Sequence, residues 1–447
     1  DGAEDALGLL AGLIGRARRA GADTADAVFV QSASLSHARR LGKLEKLERA
    51  ESSDLGLRVF IGKRQAILSS TDTSAKALDE LVARAIATAR VVPEDPFCGV
   101  ADPAEIMKAA PPELDMEDAA EPAAELLVEL AAAAEDAALA VKGVSNSEGA
   151  EAGWSRTRVA LAASNGFSGG YAVTHHSLSV AVLAGSGAGM ERDYDYCTAV
   201  HGGDMDDAAK LGRNAGERAV ARLNPRKVRT APVPVLFDKR IAGGLLGHLS
   251  GAINGAAIAR GTSFLKDRLG APVFRRGINI VDDPHRKRGL RSKPFDAEGI
   301  ANTRRALIED GRLTTWLLDL RSARQLKLAS TGHASRGTGG PPSPSPSNLY
   351  LEAGHATPAE LMDDISEGFL VTELMGMGVN GVTGDYSRGA TGFWIENGKT
   401  AYPVSEVTIA GNLKAMYLNL YPANDLEFRR GTDAPTVRIE GMTVAGK

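Results

Sequence analysis

Two cysteines, Cys98 and Cys197, are all the thiol in this chain of 447 residues, too few for a disulfide framework or a four-thiolate zinc site. A reducing cytoplasm is the expected compartment. Aromatic residues make up only 5% against 43% hydrophobic residues, with 50 glycines, so packing must come mainly from aliphatic side chains and close backbone approach. Positive charge is not in excess either. With 52 Lys and Arg against 56 Asp and Glu, the net charge is −4, which gives no concentrated basic surface for a phosphate backbone. Arg286-Lys287-Arg288 and Arg304-Arg305 read as solvated basic faces. No apolar run approaches the roughly 20 residues of a membrane helix, and the first residues show no basic segment followed by a compact apolar core. The expectation is a soluble globular protein that is neither membrane-inserted nor exported and does not touch nucleic acid directly. The chain is long enough for two or three domains, each with its own core.

What is present is patterned. Leu7, Leu10, Ile14 and Ala17 recur at helical spacing before Gly21, predicting an opening amphipathic helix with a basic last turn. Asp26 to Gln31 reads as a strand, and Leu57–Ile61 with Arg64–Leu68 as a hairpin turning at Gly62-Lys63. Residues 74–91 return to helical periodicity, a Pro-rich stretch over 93–112 breaks it, and an Ala/Glu/Leu-rich helix is predicted over 123–141. Alternation over 143–199, punctuated by Ser164-Asn-Gly166, predicts a meander of long antiparallel strands. A helix over 206–223 closes this half before Asn224-Pro225, which sets the expected domains as 1–225 and 226–447. In the second half, 231–237 reads as a buried strand and 241–259 as one helix packed closely on all sides. Strands 304–308 and 312–318 are expected to pair across Glu309-Asp-Gly311, with a short helix over 319–327 behind them. The segment 337–347 reads as an extended surface loop, followed by a helix over 358–365 and short strands to the end.

Few residues carry obvious chemistry. His175 and His176 are adjacent on a predicted strand, so their side chains point to opposite faces and do not share a metal. No Gly-x-Ser-x-Gly elbow sits in a strand-to-helix setting, and neither a Walker loop nor a dinucleotide-binding turn is present. In Gly384-Asp-Tyr-Ser-Arg-Gly389 two readings stand side by side. Either Asp385 and Arg388 pair across a tight turn, or Tyr386, Arg388 and the following Gly-Phe-Trp394 line a peptide channel in which Arg388 binds a carboxylate or carbonyl.

The closing stretch Met377-Gly-Val-Asn-Gly-Val-Thr-Gly-Asp-Tyr-Ser-Arg-Gly-Ala-Thr-Gly-Phe-Trp-Ile-Glu-Asn-Gly398, followed by Tyr402-Pro-Val-Ser-Glu-Val-Thr-Ile-Ala-Gly-Asn-Leu-Lys414, resembles the end of the TldD/PmbA metalloprotease family, specifically its PmbA (TldE) branch. Pro232–Phe237, Ser292-Lys-Pro-Phe-Asp-Ala-Glu-Gly299 and Thr314–Leu318 extend the resemblance, and Ser330-Thr-Gly-His-Ala334 resembles a PmbA segment, which makes His333 a cleft candidate beside Tyr386, Arg388 and Trp394. The resemblance implies an α+β fold: an N-terminal domain with helices on an antiparallel or mixed sheet, then a C-terminal domain built on a curved sheet or barrel-like core. It also implies a partner, a TldD-type subunit carrying zinc on a His-Glu-x-x-x-His helix followed by Gly-Thr-Ser, with a Cys near its C-terminus.

This chain keeps Gly261-Thr262-Ser263. Counting back without gaps, the two His positions are read as Leu246 and Ser250 and the Glu position as Gly247, while the tail from Asp425 has no Cys. No catalytic or metal-binding residue is therefore assigned to it, and zinc is expected in the partner. The implied role is a structural and substrate-channel subunit of a peptidase for unfolded or flexible peptides, in peptide maturation or antitoxin degradation, with a homodimer possible when the partner is absent. The alternative is a non-enzymatic binding protein that modulates DNA gyrase or a toxin–antitoxin partner. A third reading is a self-sufficient homodimeric hydrolase using His333 or His248.

Overall fold

The computed structural model describes residues 2–446. Its first half is one antiparallel sheet covered on one face by helices. Helix α1 (Gly2–Arg19) buries Leu10, Leu13 and Ala17, and Gly62 at φ +57° turns strand β2 (Lys43–Ile61) into β3 (Arg64–Ser70) where the sequence pattern placed the hairpin. Ser74 caps α2 (Ala75–Val91) by accepting from Ala77 N, as hydroxyl caps do for a helix's free first-turn amides. Strand β1 (Thr24–Arg40), helix α3 (Ala124–Leu139), strands β4 (Val144–Ala163), β5 (Ser168–Ala184) and β6 (Glu191–Ala199), and helix α4 (Ala208–Ala221, capped by Asp207) complete the half. The strand order is β3-β2-β1-β4-β5-β6. Because β1 and β4 are long, alternate residues on one face pack against α1 and α2 at one end, through Ala25, Ala27 and Ala160. At the other end the same face meets α3 and α4, through Leu35, Ala152 and Trp154. The opposite face carries Asp26, Val28 and Leu161 toward the second half.

The second half is built on a closed barrel. Strand β7 (Ala231–Phe237) leads into helices α5 (Lys239–Ala252) and α6 (Gly255–Arg260), then short strands β8 (Ile280–Asp282), β9 (Arg305–Glu309) and β10 (Arg312–Leu313), and helix α7 (Leu320–Leu326). Strands β11 (Ala334–Ser335), β12 (Ser343–Pro344), β13 (Leu349–Leu351), β14 (Glu367–Met375), β15 (Asp385–Glu396) and β16 (Lys399–Asn412) follow, then helix α8 (Leu413–Leu418) and strands β17 (Leu420–Pro422), β18 (Thr432–Asp433) and β19 (Val437–Ala445). β7 pairs with β14, β14 with β15, β15 with β16, β16 with β19 and β19 with β7, which closes five strands on themselves and leaves no free edge among them. Phe237, Phe369, Trp394 and Val437 are buried in this half's single large core. A smaller sheet of order β10-β9-β8-β13-β18 packs beside the barrel.

One barrel position is unusually intolerant. A Cβ on Gly392 of β15 would stand 1.9 Å from the carbonyl oxygen of Leu370 on the neighbouring strand, and a closed barrel cannot splay one strand without disturbing the others. Gly392→Ala is expected to cost about 3 kcal/mol, the upper part of the overpacking range, read as a lower denaturant midpoint at unchanged slope.

Four expectations need correction. The helix expected over 241–259 is two helices, broken where Asn254 caps α6. It is not enclosed on all sides, since Gly244, Gly247 and Gly251 are exposed. The strand expected over 312–318 ends at Leu313 because the backbone then turns inward, Leu317 bridging Asn254. Residues 358–364 form turns rather than a helix. The segment 337–347 is not a free surface loop: Pro342, Pro344 and Ser347 are buried, β12 pairs with β11, and Thr338 O presses so close to Gly56 that a Cβ there would be 2.2 Å away.

That same segment joins the halves. Arg336 reaches across to Asp26 of β1, which also holds Arg58 of β2. Arg324 of α7 donates to the carbonyls of Phe97, Gly99 and Val100, fixing the Pro-rich connector that sequence alone left without structure. Phe295 packs edge-on against Phe167 at 5.0 Å and Tyr171 at 5.6 Å. No helix among the described residues is long and apolar enough to cross a membrane.

Candidate functional site

The outer face of α5 forms one wall of an open cavity of about 330 Å³. Asp238 caps the helix by accepting from Arg240 N at 2.8 Å, and Leu245, Leu246 and Leu249 turn into the barrel core. Helical spacing therefore brings Gly244, Gly247, His248 and Gly251 to the opposite face. No atom lies within 4 Å of where a Cβ would project from Gly247 or Gly251, so these positions are open. Across the cavity stand Phe264 from the segment after α6, Met377 and Val379 from the loop before β15, and Leu413 at the start of α8. Met377 is 92% exposed and forms the rim. Ser263 ties this wall together, donating to Ala252 O at 2.5 Å and accepting from Leu265 N at 3.0 Å.

Three polar side chains line the cavity: His248, Arg388 and Thr262, whose hydroxyl turns back to Ala257 O at 3.4 Å. His248 meets the buried ring of Tyr386 edge-on at 5.9 Å. Burial first, and then the Arg388 guanidinium, hold its imidazole below the usual histidine range. The phenol of Tyr386 is pushed up to about 12, by burial against the opposing pull of Arg388. The Arg388 guanidinium donates a hydrogen bond to the Tyr386 hydroxyl, but its Nε is buried without a partner and no carboxylate pairs with it among the described residues. The local pairing with Asp385 does not form. Asp385 instead accepts from Thr383 Oγ1 at 2.7 Å and Asn412 Nδ2 at 3.0 Å, because β15 alternation sends it and Tyr386 to opposite faces.

Of the four channel candidates, the structure brings together Tyr386 and Arg388. Trp394 lies in the barrel core, 6.4 Å from Phe369. His333 is buried elsewhere, its Nδ1 2.7 Å from Thr331 Oγ1 and its Nε2 3.1 Å from Asp282 Oδ2. His175 and His176 do diverge, the first toward Leu290 O at 3.2 Å and the second toward Asp118 Oδ2 at 3.3 Å. The glycine face of α5 was missed by sequence reasoning, although glycines at 244, 247 and 251 among core leucines carry a signal: one helical face with no side chains.

The position count for a zinc motif also needs correction. A His-Glu-x-x-x-His pattern starting at 246 ends at 251, so the second position is Gly251, which opens on the cavity, and not Ser250, whose hydroxyl turns back to Gly247 O at 2.9 Å. The residues at 246, 247 and 251 are Leu, Gly and Gly, and none can ligate zinc through its side chain. Among the described residues no group of three or more His, Cys, Asp or Glu side chains is arranged to hold a metal. The donor set does not fit zinc.

Comparison with known proteins agrees with this architecture across the chain. Residues 230–446 match the PmbA/TldA metallopeptidase C-terminal domain, 117–223 its central domain and 25–89 its domain 1. The chain is 40% identical to metalloprotease PmbA of Escherichia coli O157:H7, covering 95% of this chain and 93% of that protein. It is 36% identical to a PmbA homologue of Haemophilus influenzae, covering 96% and 94%. A Bacteroides thetaiotaomicron crystal structure, described as a candidate modulator of DNA gyrase, superposes with a TM-score of 0.91 at 27% identity over 98% of both chains. TldE from Thermococcus kodakarensis shares the fold, with a TM-score of 0.87 at 19% identity over 98% of this chain and 100% of that one. With three consecutive domain matches and a relative at this identity over nearly its whole length, the chain belongs to the PmbA/TldD metallopeptidase family, on its PmbA branch.

Proposed function

We propose that this chain is the TldE-like, structural and substrate-channel subunit of a TldD–TldE-type zinc metallopeptidase that acts on unfolded or flexible peptides in the cytoplasm, in peptide maturation or antitoxin degradation. Residues 1–225 and 226–447 are its two domains. The observation that carries the reading is the ligand-free face of α5. Leu246 is core, Gly247 and Gly251 present no side chain, and His248 enters the cavity without a ligating neighbour. Hydrolysis by a zinc-bound water needs three protein ligands holding the ion, so catalysis is assigned to a TldD-type partner. In the absence of that partner the chain pairs with itself.

An extended peptide is held through its backbone by strand addition at a sheet edge. The outer stretch of β2 over residues 43–54 offers such an edge, since β3 pairs only from Leu55 onward.

The test is reconstitution. Cleavage of an unstructured reporter peptide is expected at background with this chain alone, and to appear on adding a subunit that carries His-Glu-x-x-x-His, with loss on chelation and return with zinc. Chelator-sensitive cleavage by the chain alone would overturn the assignment.

A further inference from the structure

We propose that the cavity between α5 and the 376–384 loop binds the C-terminal carboxylate of an extended peptide that ends in an apolar residue, through Arg388 and His248. Arg388 enters the cavity with no carboxylate counter-ion among the described residues and with a buried Nε that has no acceptor. A guanidinium sunk into a protein wall loses hydration, and that loss is normally offset by a carboxylate or by carbonyl acceptors. The Tyr386 hydroxyl is the neutral partner that Arg388 has here, and a neutral phenol offsets less of that loss than a carboxylate would, while Nε is left without an acceptor. The planar guanidinium fork matches a carboxylate better than any other common anion in peptides.

His248 adds a second polar atom to the cavity. Its depressed basicity keeps it neutral near pH 7, so it donates one N–H without placing another cation beside Arg388. The surrounding walls, Phe264, Met377, Val379 and Leu413, are apolar, which favours an apolar side chain on the terminal residue. Gly247 and Gly251 leave room for the peptide backbone to lie directly on α5. The volume of about 330 Å³ is at the small end of the roughly 300–1,000 Å³ of ligand sites, enough for a chain end and too small for a folded domain.

This deepens the substrate-holding role and rests on that reading for the ligand's identity. The measurement is fluorescence anisotropy of an N-terminally labelled peptide ending in Leu-Val, as free acid and as amide, with the isolated chain. The free acid is expected to bind roughly tenfold tighter or more, the scale of one hydrogen-bonded charge pair. Arg388→Met should remove the acid preference while leaving thermal stability unchanged or higher. Gly251→Leu, which fills open space, should weaken both peptides. Equal binding of acid and amide, an acid preference that survives Arg388→Met, or equally tight binding of an amide with an internal Glu would each overturn the site. If a zinc-bearing partner restores cleavage that ignores Arg388→Met and amidation, the subunit role stands and this site falls. If the acid preference holds but no such partner gives cleavage, the reverse is true.

Discussion

Replacing Asp26 by alanine should destabilise the protein by about 3–5 kcal/mol, the cost of stranding buried charge. Asp26 is 4% exposed and is the shared counter-ion of Arg58 and Arg336, whose side chains are 5% and 1% exposed. Arg58 Nε lies 3.1 Å from both carboxylate oxygens. Burial alone would raise the Asp26 pKa, but Arg58 and then Arg336 outweigh it and hold the carboxyl below its usual range. An exposed pair such as Arg16–Asp79 contributes at most about 1 kcal/mol because water already solvates both groups. The Asp26 cluster is different, since alanine leaves two cations in a dry junction. Arg336 comes from the segment after His333, so the loss should also loosen the halves, seen as earlier proteolysis near residues 336–342. A drop below about 1 kcal/mol in chemical unfolding would show that water enters the junction. Simultaneous replacement of Asp26, Arg58 and Arg336 by apolar residues should cost less than Asp26→Ala, because no charge is then left unpaired.

The protein should lose stability as pH rises from mildly acid to alkaline, and Glu298→Gln should remove most of that loss. Glu298 is buried and its pKa is pushed up to about 8, by burial first and then by the neighbouring Asp296 carboxylate, against the pull of Arg58. Asp296 is also raised by burial, but it accepts from the backbone amides of Glu298, Ile300 and Ala334. Those donors favour its charged form, so the proton of the pair resides mainly on Glu298. A carboxyl with a folded pKa above its unfolded 4.5 contributes stability in full below 4.5 and loses it as pH rises toward the folded value. Each bound proton released on unfolding gives a slope of about 1.4 kcal/mol per pH unit. Asp26 works in the opposite sense, its contribution fading only at acid pH, so the two do not overlap. Glutamine keeps an oxygen to accept from Leu320 N, which Glu298 Oε2 does at 2.9 Å, and it cannot ionise. Melting temperatures of the two proteins across pH 5 to 9 decide the matter, and parallel curves would refute the buried proton.

Much of the first half was legible from short-range signals. Ser74, Asp207, Gly62 and Asn165-Gly166 each act within three or four residues of where they sit, through a cap or a turn. A gapless count along 246–251 gives residue types but not which of Ser250 and Gly251 faces the cavity; the structure places Gly251 there and turns the Ser250 hydroxyl back to Gly247 O. The 241–259 region misled because leucine and alanine predict burial without saying which face is buried, and Asn254 reads equally well as a helix interior residue or a cap. The Pro-rich 337–347 segment has the composition of a solvated loop, yet its backbone carbonyl at Thr338 meets Gly56 of another sheet. No local preference encodes that contact.

From sequence alone came most element types, the α+β class and the family resemblance, because these depend on side-chain chemistry and on preferences that act over a few neighbours. Tertiary structure alone decided the closure of the barrel, where β19 bridges β7 and β16 across some two hundred residues of chain. It also decided the meeting of His248 and Arg388 in one cavity and the burial of Asp26, Glu298 and Arg336 at one junction. Such arrangements follow from strand pairing and from excluding water over the whole molecule, and a residue's charge becomes functional or costly only once that packing sets which partners it has.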